Sequence, residues 1–221
     1  MGRLSLRVIA LIIASRRPDW WGEPVGDLLQ PAEWQHVSPQ WRMEYWQRAL
    51  QKLGPRKAFT LRLGVATARN AEDAEPNFID YIRRRIARQL KRALGRPVAF
   101  WFTAEVDKWS LPHLHGSVGI TNAEEEIARA AMKRAGGDWT GPASKQVVFA
   151  PIYDGPGWAG YASKRIRRKH EIKGNFGRGF TATRALNAEA EKLYMRHRDG
   201  VLLLRQWRLD HPHVFKRKPR S

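Results

Sequence analysis

The chain contains no cysteine. Disulfide bonds, cysteine-ligated zinc and thiol catalysis are thereby excluded, and a cytoplasmic location is expected. Long apolar runs are also missing. The strongest near the N-terminus, "VIALIIA" (Val8 to Ala14), is far too short to cross a bilayer. Arg16 and Arg17 follow it without a small-residue cleavage pattern, so it reads as a buried strand or short helix rather than a signal peptide. No G-x-x-x-x-G-K-S/T occurs, which excludes a motor ATPase of the P-loop type. "GPGWAGYASK" comes nearest, but Tyr161 stands after Gly160 where that motif needs lysine. Internal repeats and low-complexity linkers are absent. Acids are scarce: 21 Asp and Glu against 40 Lys and Arg leave a formal charge of +19. Self-repulsion of that size works against a compact chain, so it answers a polyanionic partner. Nucleic acid comes first, ahead of an anionic membrane surface.

What is present begins with a hydrophobic fraction of 43% over 221 residues, enough for one domain with a real core and an added segment. Ten tryptophans are many for this length, and some of them must be core. Some can serve as platforms for unpaired bases, which suits single-stranded nucleic acid better than duplex.

The first 55 residues, with "PDWWGEP" and a helix over Ser38 to Leu53, read as a Trp-rich helical appendage. Ser38 can cap that helix, Pro39 suits its first turn, and Gly54 with Pro55 ends it. "KAFTLRLGV" alternates Phe59, Leu61 and Leu63 with Thr60 and Arg62 and predicts a strand. In "PNFIDYIRRRIARQLKRALG", Phe78, Ile82, Ile86, Leu90 and Leu94 make one apolar stripe on a helix closed by Gly95. "RPVAFWFTAEV" predicts a strand, and "DKWSLP" turns it back into "HLHGSVGI" as a hairpin. Asn122 and Glu125 form a capping pattern for the next helix, which ends near Gly136. "KQVVFAPIYD" predicts another strand, "GPGWAGYASKRIRRKH" a short basic helix and "FTATRAL" a further strand. A helix from about Asn187 and the tail "FKRKPRS" close the chain. The expected fold is α+β, with a largely antiparallel central sheet of about five strands flanked by helices. It divides into an appendage (1–55), a central domain (56–186) and a C-terminal helix with basic tail (187–221).

The chemistry-bearing residues cluster around "PHLHG". His113 and His115 are two apart, so on a strand they share a face and can grip one ion. "HPH" (His211 and His213) has the same spacing, but it encloses a proline beside the basic tail and is read as unrelated to any site. Glu105 lies on the other arm of the hairpin and can face the imidazoles. Asp107, of equal strand parity, is the alternative carboxylate. One carboxylate with two neutral imidazoles suits a divalent ion with open positions. Tyr161 and Lys164 are three apart and share a helix face. A free phenol is a weak nucleophile at neutral pH unless a metal or an ammonium assists.

Taken in order, "KAFTLRL", "EVDKWSLPHLHG" and "YASK" resemble the HUH endonuclease superfamily. Within it, the chain is most similar to the single-tyrosine rolling-circle replication initiators (Rep proteins) of plasmids, phages and small single-stranded DNA viruses. The resemblance spans roughly residues 55 to 185. It implies a nuclease domain in which His113, His115 and Glu105 ligate Mg²⁺ or Mn²⁺. Tyr161 would attack a phosphate of single-stranded DNA or an origin hairpin, leaving a 5′-phosphotyrosine and a free 3′-OH, with Lys164 assisting. Thr60, Arg62, Lys108, Trp109, Arg165 and Arg168 would line the DNA path. A host helicase would be recruited, since no helicase motif is present, and no membrane partner is expected. The first motif carries less Thr than is usual, and "KWS" replaces the usual Gly of the hairpin turn. Small insertion-sequence transposases share the order but usually have Gln where Lys164 stands, and a non-enzymatic nucleic-acid-binding protein is the alternative from another class.

Overall fold

The computed structural model describes residues 31–107, 110–164 and 179–210, with the backbone alone at 106–107, 110–111, 204 and 208–209. "VIALIIA" and "HPH" lie outside the described residues. Contacts divide the chain into two compact units, Val37–Leu193 and a second made of Met1–His36 with Tyr194–Ser221.

The unit Val37–Leu193 is α+β. Its five strands are β1 (Lys57–Arg62), β2 (Phe100–Asp107), β3 (Ser110–Val118), β4 (Val147–Ala150) and β5 (Phe180–Ala182). They form one open sheet in the order β4-β1-β3-β2-β5. Every neighbouring pair is antiparallel. The helices are α1 (Pro39–Leu53), α2 (Val65–Glu72), α3 (Phe78–Leu94), α4 (Glu125–Gly136), α5 (Ala143–Gln146), α6 (Gly155–Ser163) and α7 (Arg184–Asp210). The unit boundary falls inside α7.

Strand alternation sorts the side chains onto two faces. Phe59, Leu61, Phe100, Phe102, Ala104, Leu114 and Val118 bury one face in the main core. The stripe of α3 (Phe78, Ile82, Ile86, Leu90) and Ala128, Ala131 and Met132 of α4 belong to that core. Asn77 starts α3, its side-chain oxygen accepting from the Asp80 N–H at 3.0 Å, and Gly95 closes it with φ +68°.

The opposite face carries α1 and α6. Trp101 of β2 donates its indole N–H to Gln47 of α1 at 3.1 Å. Thr103 donates its hydroxyl to the Ala162 carbonyl of α6 at 3.0 Å. Trp158 of α6 donates to Ser117 Oγ at 3.1 Å. Helix α1 therefore belongs with the sheet unit, although by sequence it reads as part of an appendage. Met43, Tyr45, Trp46, Gln47, Ala49 and Leu50 are its buried residues.

The remaining differences are local. Ser38 makes no side-chain cap, and Pro39 at the first turn sets the start of α1 instead. Helix α2 is unforeseen, since "VATARNAE" has no long apolar stripe. The capping box before α4 is Thr121 with Glu124, one residue earlier than Asn122 with Glu125. The Thr121 N–H donates to Glu124 Oε2 at 2.9 Å, and the Glu124 N–H donates to Thr121 Oγ1 at 3.3 Å. Helix α7 starts at Arg184, three residues before Asn187. The basic helix predicted to 170 is observed over Gly155–Ser163 with Lys164 as its cap, and 165–170 lie outside the described residues.

In the second unit, Trp34 is buried against Tyr194, their rings 5.5 Å apart. The Tyr194 hydroxyl donates to the Ala32 carbonyl, and Arg198 Nε donates to the Pro31 carbonyl at 3.1 Å. Among the described residues no helix is long and apolar enough to cross a membrane.

Candidate metal centre

Register builds the site. Across β1, β3 and β2, Arg62, His113 and Glu105 form one row, and Thr60, His115 and Thr103 form the next. All six residues have the parity of the face opposite the main core. The β2–β3 register shifts only beyond Glu105, between Glu105 and Asp107, so Glu105 stays in step with His113. The Asp107 side chain lies outside what is described.

The three predicted ligands meet. Glu105 Oε2 is 3.2 Å from His115 Nε2 and 3.8 Å from His113 Nε2. One ligand atom from each of Glu105, His113 and His115 falls within 4.8 Å of the others. Glu105 and His115 are buried and His113 half-buried. Burial pushes the His115 pKa down to about 4, helped by the charge of His113, and Glu105 only partly opposes this. His115 is therefore neutral at pH 7 with an imidazole lone pair to offer. Its other nitrogen, Nδ1, is 3.0 Å from Thr60 Oγ1. With the proton on Nδ1, the imidazole donates to Thr60 and leaves Nε2 free on the Glu105 side, as ligand histidines usually do. A carboxylate oxygen and two imidazole nitrogens on one side of a cavity fit a divalent cation.

Glycine completes the motif for a steric reason. A Cβ at Gly116 would lie 2.0 Å from the Trp101 carbonyl oxygen, so the hairpin closes this tightly only without one.

Helix α6 brings Tyr161 beside the cluster. The Tyr161 ring lies 5.6 Å from the His115 ring and stacks on Trp158 at 5.5 Å with 15° between planes. Lys164, at the helix cap, holds its ammonium 3.8 Å from the centre of the Tyr161 ring. Tyr161 is half exposed (47%). A cavity of about 370 Å³ is lined by Thr60, Arg62, Glu105, His113, His115, Val148 and Tyr161. Arg62 also donates to the Lys145 carbonyl. Of the other predicted contacts, Lys108, Trp109, Arg165 and Arg168 lie outside the described residues.

Two contributors escaped the sequence reading. Trp158, which pins α6 to β3 and stacks on Tyr161, stands three residues before it, the spacing of one helix face. Thr103, which ties α6 to β2, shares the parity of Glu105.

Fold and site together define an α+β protein whose open antiparallel sheet carries a carboxylate and two imidazoles able to hold a metal ion. No family model matches the chain, and no curated protein or solved structure matches it either.

Proposed function

We propose that the protein is a metal-dependent endonuclease and strand transferase of the HUH type, cutting and rejoining single-stranded DNA as a rolling-circle initiator does. One observation carries this reading: a phenol, Tyr161, stands against a cluster of Glu105, His113 and His115 that can hold a cation. The charge of +19 supports a polyanionic substrate.

Glu105, His113 and His115 would hold the ion, and a set with two nitrogens accommodates Mn²⁺ better than Mg²⁺. When bound, that ion supplies Lewis-acid polarisation of the phosphate. Tyr161 supplies the nucleophile. Its Oη forms a bond to phosphorus as the bond from phosphorus to the 3′ oxygen breaks. The phenol proton passes to water and the departing 3′ oxygen gains one, giving a 3′-OH and a 5′-phosphotyrosine. Lys164, its ammonium 3.8 Å from the ring centre, would offer a positive charge beside the reacting phosphate. The covalent link retains the phosphodiester bond energy, so rejoining needs no ATP. Arg62, at the wall of the cavity, offers a cation to the phosphate.

The test is incubation with a random single-stranded DNA library and Mn²⁺, followed by a denaturing gel. A protein–DNA adduct that disappears in Tyr161→Phe is the expected result. Absence of adduct with either Mn²⁺ or Mg²⁺, despite DNA binding, would leave a binding protein without catalysis. An adduct lost only in Tyr153→Phe would move the nucleophile to Tyr153.

A further inference from the structure

A second cavity opens beside the metal-ligand cluster. It measures about 450 Å³ and shares Thr60, Val148 and Tyr161 with the first. Its walls are mostly apolar. Val148, Ile152 and the stacked rings of Trp158 and Tyr161 are among its lining. Tyr153 stands among its lining residues with 94% of its surface exposed, a large aromatic ring left to water. Asp154 carries the only charge among the described lining residues. The Asp154 carboxylate rests against Gly157 in the first turn of α6, where a Cβ would lie 2.2 Å from Asp154 Oδ2.

These walls select a ligand by chemistry. A carboxylate repels phosphate, so the sugar–phosphate backbone is not what enters. An apolar slot with aromatic rings takes a flat, weakly polar group, and an unstacked base is the part of a single strand that fits. The carboxylate accepts hydrogen bonds from donors on the base edge. Guanine offers two adjacent donors, N1–H and N2–H₂, matching both carboxylate oxygens. Thymine offers one N–H between two carbonyl oxygens, which the carboxylate repels.

We propose that this cavity binds a single unstacked nucleobase of the DNA strand, guanine by preference, with Asp154 reading its edge and Tyr153 closing over it. The placement of that base next to the cut phosphate rests on the nicking role of Tyr161. Base binding itself does not.

The experiment uses the full chain in EDTA with short, fluorescein-labelled abasic deoxyribose-phosphate strands. Each carries one central guanine, one central thymine or no base, and binding is read by fluorescence anisotropy. The guanine strand is expected to bind at least about fivefold more tightly than the abasic strand, the low end of a base–aromatic stack. Asp154→Ala should bring guanine down to the level of thymine, and Tyr153→Ala should weaken both. Both residues are exposed, and Asp154, although the N-cap residue of α6, makes no side-chain capping bond, so the fold is expected to survive both changes, with circular dichroism of each variant as the check. Equal affinity of the wild-type protein for the guanine and abasic strands would overturn the pocket. A guanine preference that survives Asp154→Ala would overturn the edge reading. Neither result bears on the covalent adduct, because no metal is present and no cut is made. The Tyr161→Phe gel fails or succeeds separately.

Discussion

The two faces of the sheet are built from the same strands and do opposite work. Leu114 and His115 are neighbours in β3, and both are buried. Leu114 points into the main core with Phe59 and Phe102. His115 points the other way, among Thr60, Glu105 and Tyr161. The core face gathers apolar groups whose burial holds the fold together. The site face buries a carboxylate and an imidazole, which costs stability unless they are paired. The cost on the site face is offset by apolar burial on the other.

The contrast can be broken from either side. The largest effect is expected from His113→Ala, which removes a half-buried candidate ligand. Mn²⁺ binding, followed by titration calorimetry, should be lost, while the urea midpoint of the apo protein stays nearly unchanged. Retained Mn²⁺ affinity would show that His113 is not a ligand.

Leu114→Ala should do the reverse. It empties a packed position and should cost about 2–5 kcal/mol in urea unfolding. If it costs less than about 1 kcal/mol, the core face does not carry the stability.

The third effect depends on pH. His115 has a folded pKa of about 4, against the usual 6.5 for the unfolded chain. Between these values the unfolded state binds more protons, so stability rises with pH there. The contribution is present above about pH 6.5 and is lost as pH falls toward 4, by roughly 3 kcal/mol at most. Urea unfolding in EDTA at several pH values should show this slope, and His115→Gln should flatten it. An unchanged slope in the variant would assign the effect to other groups.

The smallest effect is expected from Thr60→Val, which keeps shape and removes the partner of His115 Nδ1. Metal affinity should fall about 10-fold or more, within the range for lost outer partners of ligand histidines. No change would mean that Thr60 does not orient the ring.

Much of this was legible in the chain. Alternation in "KAFTLRL" marked one strand, because a half-buried strand shows its pleat in sequence, and the aromatic and β-branched run in "RPVAFWFTAEV" marked another, which is buried on both faces. The stripe from Phe78 to Leu90 marked α3 for the equivalent reason at helical period. Glu105, His113 and His115 could be grouped because a hairpin turns sequence distance into register. Helix α2 and the placement of α1 were not legible, since their positions rest on tertiary contacts such as the bond from Trp101 to Gln47. Trp158 and Thr103 were missed for the same reason, as the partners of each are far away in the chain.

The sequence by itself determined which residues can share a face, because periodicity is a local property of the backbone. It carried the charge, the paired histidines and the spacing from Tyr161 to Lys164. Only the tertiary structure decided that β1 lies beside β3, which sets Thr60 against His115. Only packing of α6 onto the sheet brought Tyr161 to the cluster and opened the apolar cavity beside it. Such approaches depend on how whole elements fit together, and no local pattern encodes that fit.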